Sequence, residues 1–249
     1  MRYFIEIAYD GTNYHGWQIQ NNAISIQAKI NEALSKRLGI DTACTGSGRT
    51  DTGVHANQQV AHFDTEKEIA SHSDFVFQLN SILPDDIAIN DLYEVHGSAS
   101  ARFDADSRAY IYRIHRKKNP FQENRSYFFG RDLNIKSMNE CCQLLLNWTD
   151  FQAFSKVHTD VNTFDCTIFH AQWKQENDKL YFSVTANRFL RGMVRALVGT
   201  MLDVGEGKVT VHDFKEILKS KDRRKAGRSV PACGLYLSAI TFPDTIRLN

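Results

Sequence analysis

The chain has 249 residues, of which 42% are hydrophobic and 24% charged, ordinary proportions for a folded globular protein. No apolar run approaches the roughly 18 residues that a membrane span needs, which argues against a membrane protein. The formal net charge is only +1, so any site for a polyanion must come from uneven distribution of charge. A chain of this length fits one large domain or two modest ones.

The N-terminal residues and the cysteines indicate where the protein resides. Glu6 and Asp10 interrupt the apolar run that a secretion signal would need, so we expect a cytoplasmic location. The cysteines are odd in number and contain no C-x-x-C pair, which favours neither a disulfide framework nor a zinc ribbon. We predict reduced, mostly buried thiols at Cys44, Cys141, Cys142, Cys166 and Cys233.

The first part of the chain alternates strand and helix patterns. Apolar residues alternate with other residues from position 3 to 9, which predicts a half-buried strand. Ser25 and Gly39 are typical caps at the two ends of a helix between them. A strand is predicted over residues 59–63, a helix from the N-cap Ser73 to Leu83, and a strand over residues 87–95.

The remaining part continues in the same way. The patterns predict strands over 109–115, 166–173, 179–186 and 235–242, and helices over 135–148, 189–204 and 211–218. This order, with a hairpin turn at 176–178, favours an α+β protein with a mixed, largely antiparallel sheet flanked by helices. We expect two similarly built halves sharing that sheet, residues 1–100 and 101–249.

Basic residues are concentrated in two segments. Residues 102–131 contain eight basic and three acidic residues, and residues 219–228 contain six basic residues and one acidic residue. Each segment is either a solvated surface or a track for the phosphates of a nucleic acid.

The loop from Thr45 to Ala56 is the most unusual stretch, because glycines and small residues surround Arg49, Asp51 and His55. It matches no nucleotide-binding P-loop, no dinucleotide fingerprint and no hydrolase nucleophile elbow. A metal site formed by His55, His62 and Asp64 is conceivable, but histidines on a strand are more often structural. Asp51 itself could be a turn cap or a catalytic carboxylate.

Five motifs in order along the chain resemble the TruA-type tRNA pseudouridine synthases. The loop matches G-R-T-D-x-G-V-H-A, and four further motifs match at residues 9–18, 101–110, 189–199 and 234–237. The family often has an arginine in a T-x-R-T-I segment, where this chain has Cys166. The resemblance implies a pseudouridine synthase fold with an active-site cleft between the halves.

The resemblance also implies an activity: isomerisation of uridines 38, 39 and 40 in the anticodon arm of tRNA by a homodimer, with base flipping and without cofactor or metal. Asp51 is implied as the catalytic carboxylate, acting either as a covalent nucleophile or as the base that generates a glycal. The matching positions make Arg195 its cation partner and Tyr110 the aromatic that stacks on the uracil. Arg49, Leu235 and His55 are implied in substrate binding.

Each of these residues also has an ordinary interpretation. Tyr110 and Leu235 could simply belong to the core, and Arg195 could be an exposed helix arginine, although its apolar neighbours favour a paired one. Two other classes of function stay open: a non-catalytic RNA-binding protein with a structural Asp51, and a metal-dependent hydrolase using His55, His62 and Asp64.

Overall fold

The computed structural model describes residues 1–157 and 161–248, which form two compact units. Unit 1 comprises Met1–Asp106 with Leu237–Asn249, and unit 2 comprises Ser107–Tyr236. The expected division at residue 100 is corrected in one respect, because the end of the chain belongs to unit 1. Hydrogen bonds hold it there: Asp106 N donates to Thr241 O at 2.9 Å, and Leu248 N donates to Glu94 O at 3.1 Å.

Unit 1 is built on three long antiparallel strands in the order β4-β1-β3. These strands are β1 (Arg2–Tyr9), β3 (His55–Asp64) and β4 (Ile87–Val95), and the short strand β2 (Thr45–Gly46) pairs with β3. The helices α1 (Ile26–Leu38) and α2 (His72–Ile82) complete the unit. The central strand β1 is buried on both faces through Tyr3, Phe4, Ile5 and Ile7, which explains why its alternation is imperfect.

Unit 2 also has three long antiparallel strands, in the order β5-β8-β7. These are β5 (Ser107–His115), β7 (Ile168–Glu176) and β8 (Lys179–Ala186), and the short strand β6 (Tyr127–Phe128) runs parallel to β5. The helices are α3 (Ile135–Leu146), α4 (Met193–Gly205) and α5 (Val211–Ser220). Strand β9 (Leu235–Thr241) begins in unit 2 and ends in unit 1.

Capping residues set the ends of the helices, and several ends differ from the sequence prediction; α3 ends two residues before the predicted end and α5 two residues after it. Ser25 caps α1 and Gly39 ends it in a left-handed conformation, as predicted. The N-cap of α2 is Ser71, not Ser73, because the Ser71 hydroxyl accepts a hydrogen bond from Asp74 N. Helix α4 begins at Met193 rather than at residue 189, since Gly192 adopts φ +74° and ends the preceding turn.

The α+β class with largely antiparallel strands is confirmed, and the parallel pairing of β5 with β6 makes the arrangement mixed. Four of the five cysteines are buried and none is in a disulfide, as predicted; Cys233 is partly exposed. Within residues 1–157 and 161–248, no helix is both long and apolar enough to cross a bilayer.

Candidate active site

The segment leading to Asp51 lies against strand β3. Ser47 N donates to Val60 O at 2.8 Å, and the buried Gln59 side chain joins the Ser47 hydroxyl at 2.5 Å to Gly48 O at 3.0 Å. Because the Gln59 amide bonds both the Ser47 hydroxyl and the Gly48 carbonyl, it fixes the backbone conformation of this part of the loop. Gln59 was not expected from the sequence, although a glutamine in a strand flanked by apolar residues is a usable signal.

Thr50, the residue before Asp51, is held from two sides. Its carbonyl accepts a hydrogen bond from Trp17 N at 3.2 Å, and its hydroxyl lies 2.9 Å from the hydroxyl of Tyr9. The Trp17 ring also covers Gly46 so closely that a Cβ there would lie 2.5 Å from the indole. The motif at residues 9–18 and the Asp51 loop are therefore one structural unit.

Two glycines of the opening motif make this close approach possible. A Cβ on Gly11 would lie 2.0 Å from Val54 O, and one on Gly16 would lie 2.3 Å from Thr50 O. Gly16 also has φ +88°, which an L-residue with a side chain rarely adopts. Both positions require glycine because backbone atoms of the loop occupy the space that a side chain would need.

Asp51 starts a tight turn at the tip of this clamped loop. Its carbonyl accepts a hydrogen bond from Val54 N at 3.1 Å, and Gly53, at φ +75°, donates from its nitrogen to Tyr14 O at 3.3 Å. The Asp51 side chain is half-buried, whereas Arg49 is exposed. Rigid backbone contacts thus present a carboxylate at a fixed position, which suits a nucleophile or a general base.

His55 is buried beneath the loop, with 1% of its surface exposed. Its Nδ1 accepts a hydrogen bond from Gly11 N at 3.1 Å and lies 3.1 Å from Asp10 Oδ1. A backbone N–H can only donate, so the bond from Gly11 requires an unprotonated Nδ1, and we favour that tautomer over an Asp10 ion pair. Both contacts are to residues of the opening motif, which packs against the Asp51 loop. A role of His55 in substrate binding stays a prediction.

In unit 2, the predicted stacking residue Tyr110 lies on β5 opposite Val184 of β8 and is partly exposed. Its ring meets Phe189 edge-on, with 5.1 Å between the ring centroids and 89° between the planes. Such a T-shaped contact is a favoured arrangement of two aromatic rings and fixes the orientation of Tyr110. Tyr110 is thus not a fully buried core residue, in contrast to Tyr112 on the same strand.

Arg195 occupies the first turn of α4 and is half-buried. Its Nε donates to Val230 O at 2.7 Å, and its carbonyl accepts from Val230 N at 3.2 Å. The backbone of residues 228–230, called the strap below, therefore orients the guanidinium. The strap packs tightly on α4, since a Cβ on Gly199 would lie 1.8 Å from Arg228 O. An exposed, unconstrained helix arginine is therefore the wrong interpretation.

Leu235 is buried at the start of β9, with 6% of its surface exposed. The preceding Gly234 packs on Tyr112, because a Cβ there would lie 2.6 Å from the ring. Cys166 is buried, and burial raises the pKa of its thiol to about 11. A thiol in that state is a packing group.

The three residues of the alternative metal site bind separate partners. His62 Nδ1 accepts a hydrogen bond from Ala101 N at 3.1 Å, and burial lowers the His62 pKa. Asp64 receives two hydrogen bonds from Arg2 at 2.8 and 2.7 Å, which lower the pKa of the carboxyl. Among the described residues, no three histidine, cysteine or carboxylate side chains are placed to hold a metal ion.

Five cations of the two basic segments form ion pairs with carboxylates. In residues 219–228, Lys219 pairs with Glu216, Lys221 with Asp150 and Arg224 with Asp222. The Arg224 guanidinium lowers the Asp222 pKa to about 2. In residues 102–131, Lys117 pairs with Asp178 and Arg131 with Glu206. The excess of positive charge counted from the sequence is therefore partly neutralised.

Comparison with known proteins identifies the class. A family described as tRNA pseudouridine synthase matches residues 142–243, the part of the chain that contains Arg195 and Leu235. Proteins named tRNA pseudouridine synthase A are similar over nearly the whole length. The chain is 48% identical to that of Bacteroides fragilis, covering 98% of both, and 46% identical to that of Parabacteroides distasonis, covering 98% and 97%.

A more distant relative shows the same coverage. The tRNA pseudouridine synthase A of Caldicellulosiruptor bescii is 39% identical, covering 96% of this chain and 98% of its own. The chain therefore belongs to the tRNA pseudouridine synthase A family, and it is an isomerase.

Proposed function

We propose that this protein converts uridines 38, 39 and 40 of the tRNA anticodon arm to pseudouridine, with Asp51 as the catalytic carboxylate. The observation that carries the proposal is the clamped loop of the family motif. Backbone contacts from Gly11, Gly16 and Trp17 fix the turn that presents the Asp51 carboxylate. These contacts require glycine at positions 11 and 16. A reaction on a nucleotide requires a carboxylate that is held in a fixed position.

The reaction breaks the bond between C1′ of ribose and N1 of uracil and forms a bond between C1′ and C5. The hydrogen lost from C5 is balanced by one gained at N1, so no atoms or electrons are gained or lost overall. Two routes give Asp51 a role: covalent attack on the nucleotide, or removal of a ribose proton to give a glycal. Both require an ionised carboxylate at the start of the reaction.

The other residues have distinct proposed roles. Tyr110, oriented by its T-shaped contact with Phe189, stacks on the flipped uracil. Arg195, oriented by Val230, is the cation partner of the Asp51 carboxylate during the reaction. Arg49 fills the space left by the flipped base or holds its phosphate, while Leu235 and His55 contribute to the substrate pocket.

The proposed enzyme works in the cytoplasm as a homodimer, and one tRNA crosses both subunits. The basic segments supply phosphate contacts that position the RNA without reading its sequence.

Mapping of pseudouridine in unmodified tRNA tests the proposal. Transcripts with uridine at 38, 39 or 40, or with cytidine at all three positions, are incubated with the purified protein in the presence of a chelator. We expect pseudouridine at each of the three positions that holds uridine, and none in the cytidine transcript. Modification elsewhere would overturn the assigned positions. RNA binding without modification would support the non-catalytic alternative, and RNA cleavage that occurs only when the chelator is left out would support the metal hydrolase.

A further inference from the structure

The short loop from Ser100 to Asp104 in unit 1 is held rigidly. Asp104 Oδ2 accepts from Ser100 N at 2.8 Å, and Asp104 N donates to Ser100 O at 3.0 Å. Phe103 N donates to the Ser100 hydroxyl at 3.4 Å, and Ala101 N donates to His62 Nδ1 on β3 at 3.1 Å. Together these bonds fix the backbone conformation without using the Phe103 ring.

The loop buries its small residues and exposes its large ones. Ala101 is fully buried, whereas the Phe103 side chain is 79% exposed. The Arg102 guanidinium carbon lies 5.3 Å from the centroid of the Phe103 ring, a cation–π distance. Exposure of a whole aromatic ring on a rigid loop contributes little to folding, so the ring is available to a ligand.

The surroundings of Phe103 select the kind of ligand. Its exposed neighbours along the chain are polar or small: His96, Gly97, Ser98, Arg102 and Asp106. No second large apolar side chain is exposed in this segment, so Phe103 is not part of a larger apolar patch formed by its chain neighbours. One aromatic face beside a guanidinium suits a nucleotide, since the base stacks on the ring and the phosphate meets the cation.

The position of His62 on β3 indicates how far the Ser100–Asp104 loop lies from the Asp51 loop. His62 follows His55 by seven residues on β3, which at about 3.3 Å per residue places it about 23 Å along the strand from the base of the Asp51 loop. That separation corresponds to several nucleotides. The stacked base is thus distinct from the uridine that is modified.

We propose that Phe103, with the Arg102 guanidinium over one face of its ring, is a stacking platform for an unpaired base of the bound tRNA outside the target site. The inference rests on the proposed function, because it takes the bound nucleic acid to be tRNA. Stacking recognises the flat face of any base, so the contact adds affinity and orientation without sequence preference.

Equilibrium binding of unmodified tRNA, measured in an Asp51→Asn background so that the RNA is not converted, tests the platform. We expect Phe103→Ala to weaken binding between about fivefold and a hundredfold, the range of one lost base stack. Phe103→Trp should bind within about twofold of the parent, whereas Phe103→Leu should bind as weakly as the alanine variant. Phe77→Ala is the matched control, since Phe77 is 72% exposed on α2, and it should bind like the parent.

Two further measurements separate stacking from other roles. The dependence of affinity on salt should not change in Phe103→Ala, because the ring carries no charge. The midpoint of thermal unfolding should not change either. Full binding by Phe103→Ala or Phe103→Leu, a lower unfolding midpoint, or a shift in oligomeric state would each overturn the platform. If the wild-type protein still modifies tRNA, such a result leaves the proposed function intact. Absence of both tRNA binding and modification by the wild-type protein overturns the function itself.

Discussion

The Asp51 loop and the basic segment of residues 219–228 differ in what fixes their polar groups. Around the loop, close contacts at Gly46 and at Gly11 and Gly16 of the opening motif leave no room for another conformation. In the basic segment, lysines and arginines pair with nearby carboxylates, as Lys219 does with Glu216. A rigid backbone therefore determines where the carboxylate lies, whereas a count of charges does not determine which cations meet a ligand.

Substitution of the loop's glycines would break this contrast most strongly. In Gly16→Ala the new Cβ would lie 2.3 Å from Thr50 O on a backbone with φ +88°, so the loop must shift. We expect pseudouridine formation to fall by at least about a hundredfold, since misplacement by about 1 Å has that cost. Gly48→Ala, in the loop itself, is the control, because nothing lies within 4 Å of its Cβ position. Equal activity of the two variants would contradict the clamp.

Arg195 allows a finer test of this comparison. It is a basic residue, but a hydrogen bond to a backbone carbonyl orients its guanidinium, just as backbone contacts hold the Asp51 loop. Arg195→Lys retains the charge but loses the Nε bond to Val230 O. We expect the single-turnover rate to fall by about tenfold to a hundredfold, with tRNA affinity nearly unchanged, as for a group that acts in the transition state. A rate equal to wild type would show that charge alone suffices and that the strap has no role.

Within the basic segment, we expect Lys225 to contribute more to tRNA binding than Lys219. The Lys219 ammonium lies 2.7 Å from Glu216, so a phosphate must compete with that carboxylate. Lys225→Ala should weaken binding severalfold and reduce the slope of log affinity against log salt by about one. Lys219→Ala should leave both quantities nearly unchanged. A larger effect of Lys219→Ala on affinity or on the slope would show that surface pairs do not limit phosphate contacts.

The smallest expected effect is on the pH dependence of stability, through His62 on strand β3. Burial lowers the pKa of His62, whose Nδ1 accepts a hydrogen bond from Ala101 N. Below the unfolded pKa of about 6.5 the unfolded chain binds the proton more readily, so stability falls as pH decreases and is flat above that value. Denaturant unfolding between about pH 5 and about pH 8 measures this.

His62→Asn is the matched variant, since an amide oxygen can accept from Ala101 N without titrating. We expect a shallower pH dependence in this variant, with the remainder due in part to His115, whose pKa burial also lowers. An identical pH dependence in both proteins would exclude His62 as its source.

The sequence predicted most of the fold because local signals and tertiary structure agree. Ser25 and Gly39 cap α1 as expected, and β4 has the predicted bounds. Strand β3 begins at His55, four residues before the predicted start, because β1 extends its pairing to Ala56. Partners distant in sequence decide such an end.

The sequence motif around Asp51 was recognisable in advance, but the contacts that hold the loop in place were not. The role of Asp51 followed from a resemblance, whereas the clamp depends on contacts between residues that lie about 40 positions apart, such as Tyr9 and Thr50. The neutralised charges could not be anticipated for the same reason, since Asp150 pairs with Lys221. Spacing in the chain carries no information on such pairs.

The central claim is that the Asp51 carboxylate performs the isomerisation. The direct test is the single-turnover rate of Asp51→Asn on unmodified tRNA, beside Asp41→Asn as the control, an exposed aspartate before the loop. We predict that Asp51→Asn binds tRNA within about threefold of wild type and forms pseudouridine at least about a thousandfold more slowly, while Asp41→Asn matches wild type. Turnover by Asp51→Asn near the wild-type rate would contradict the account.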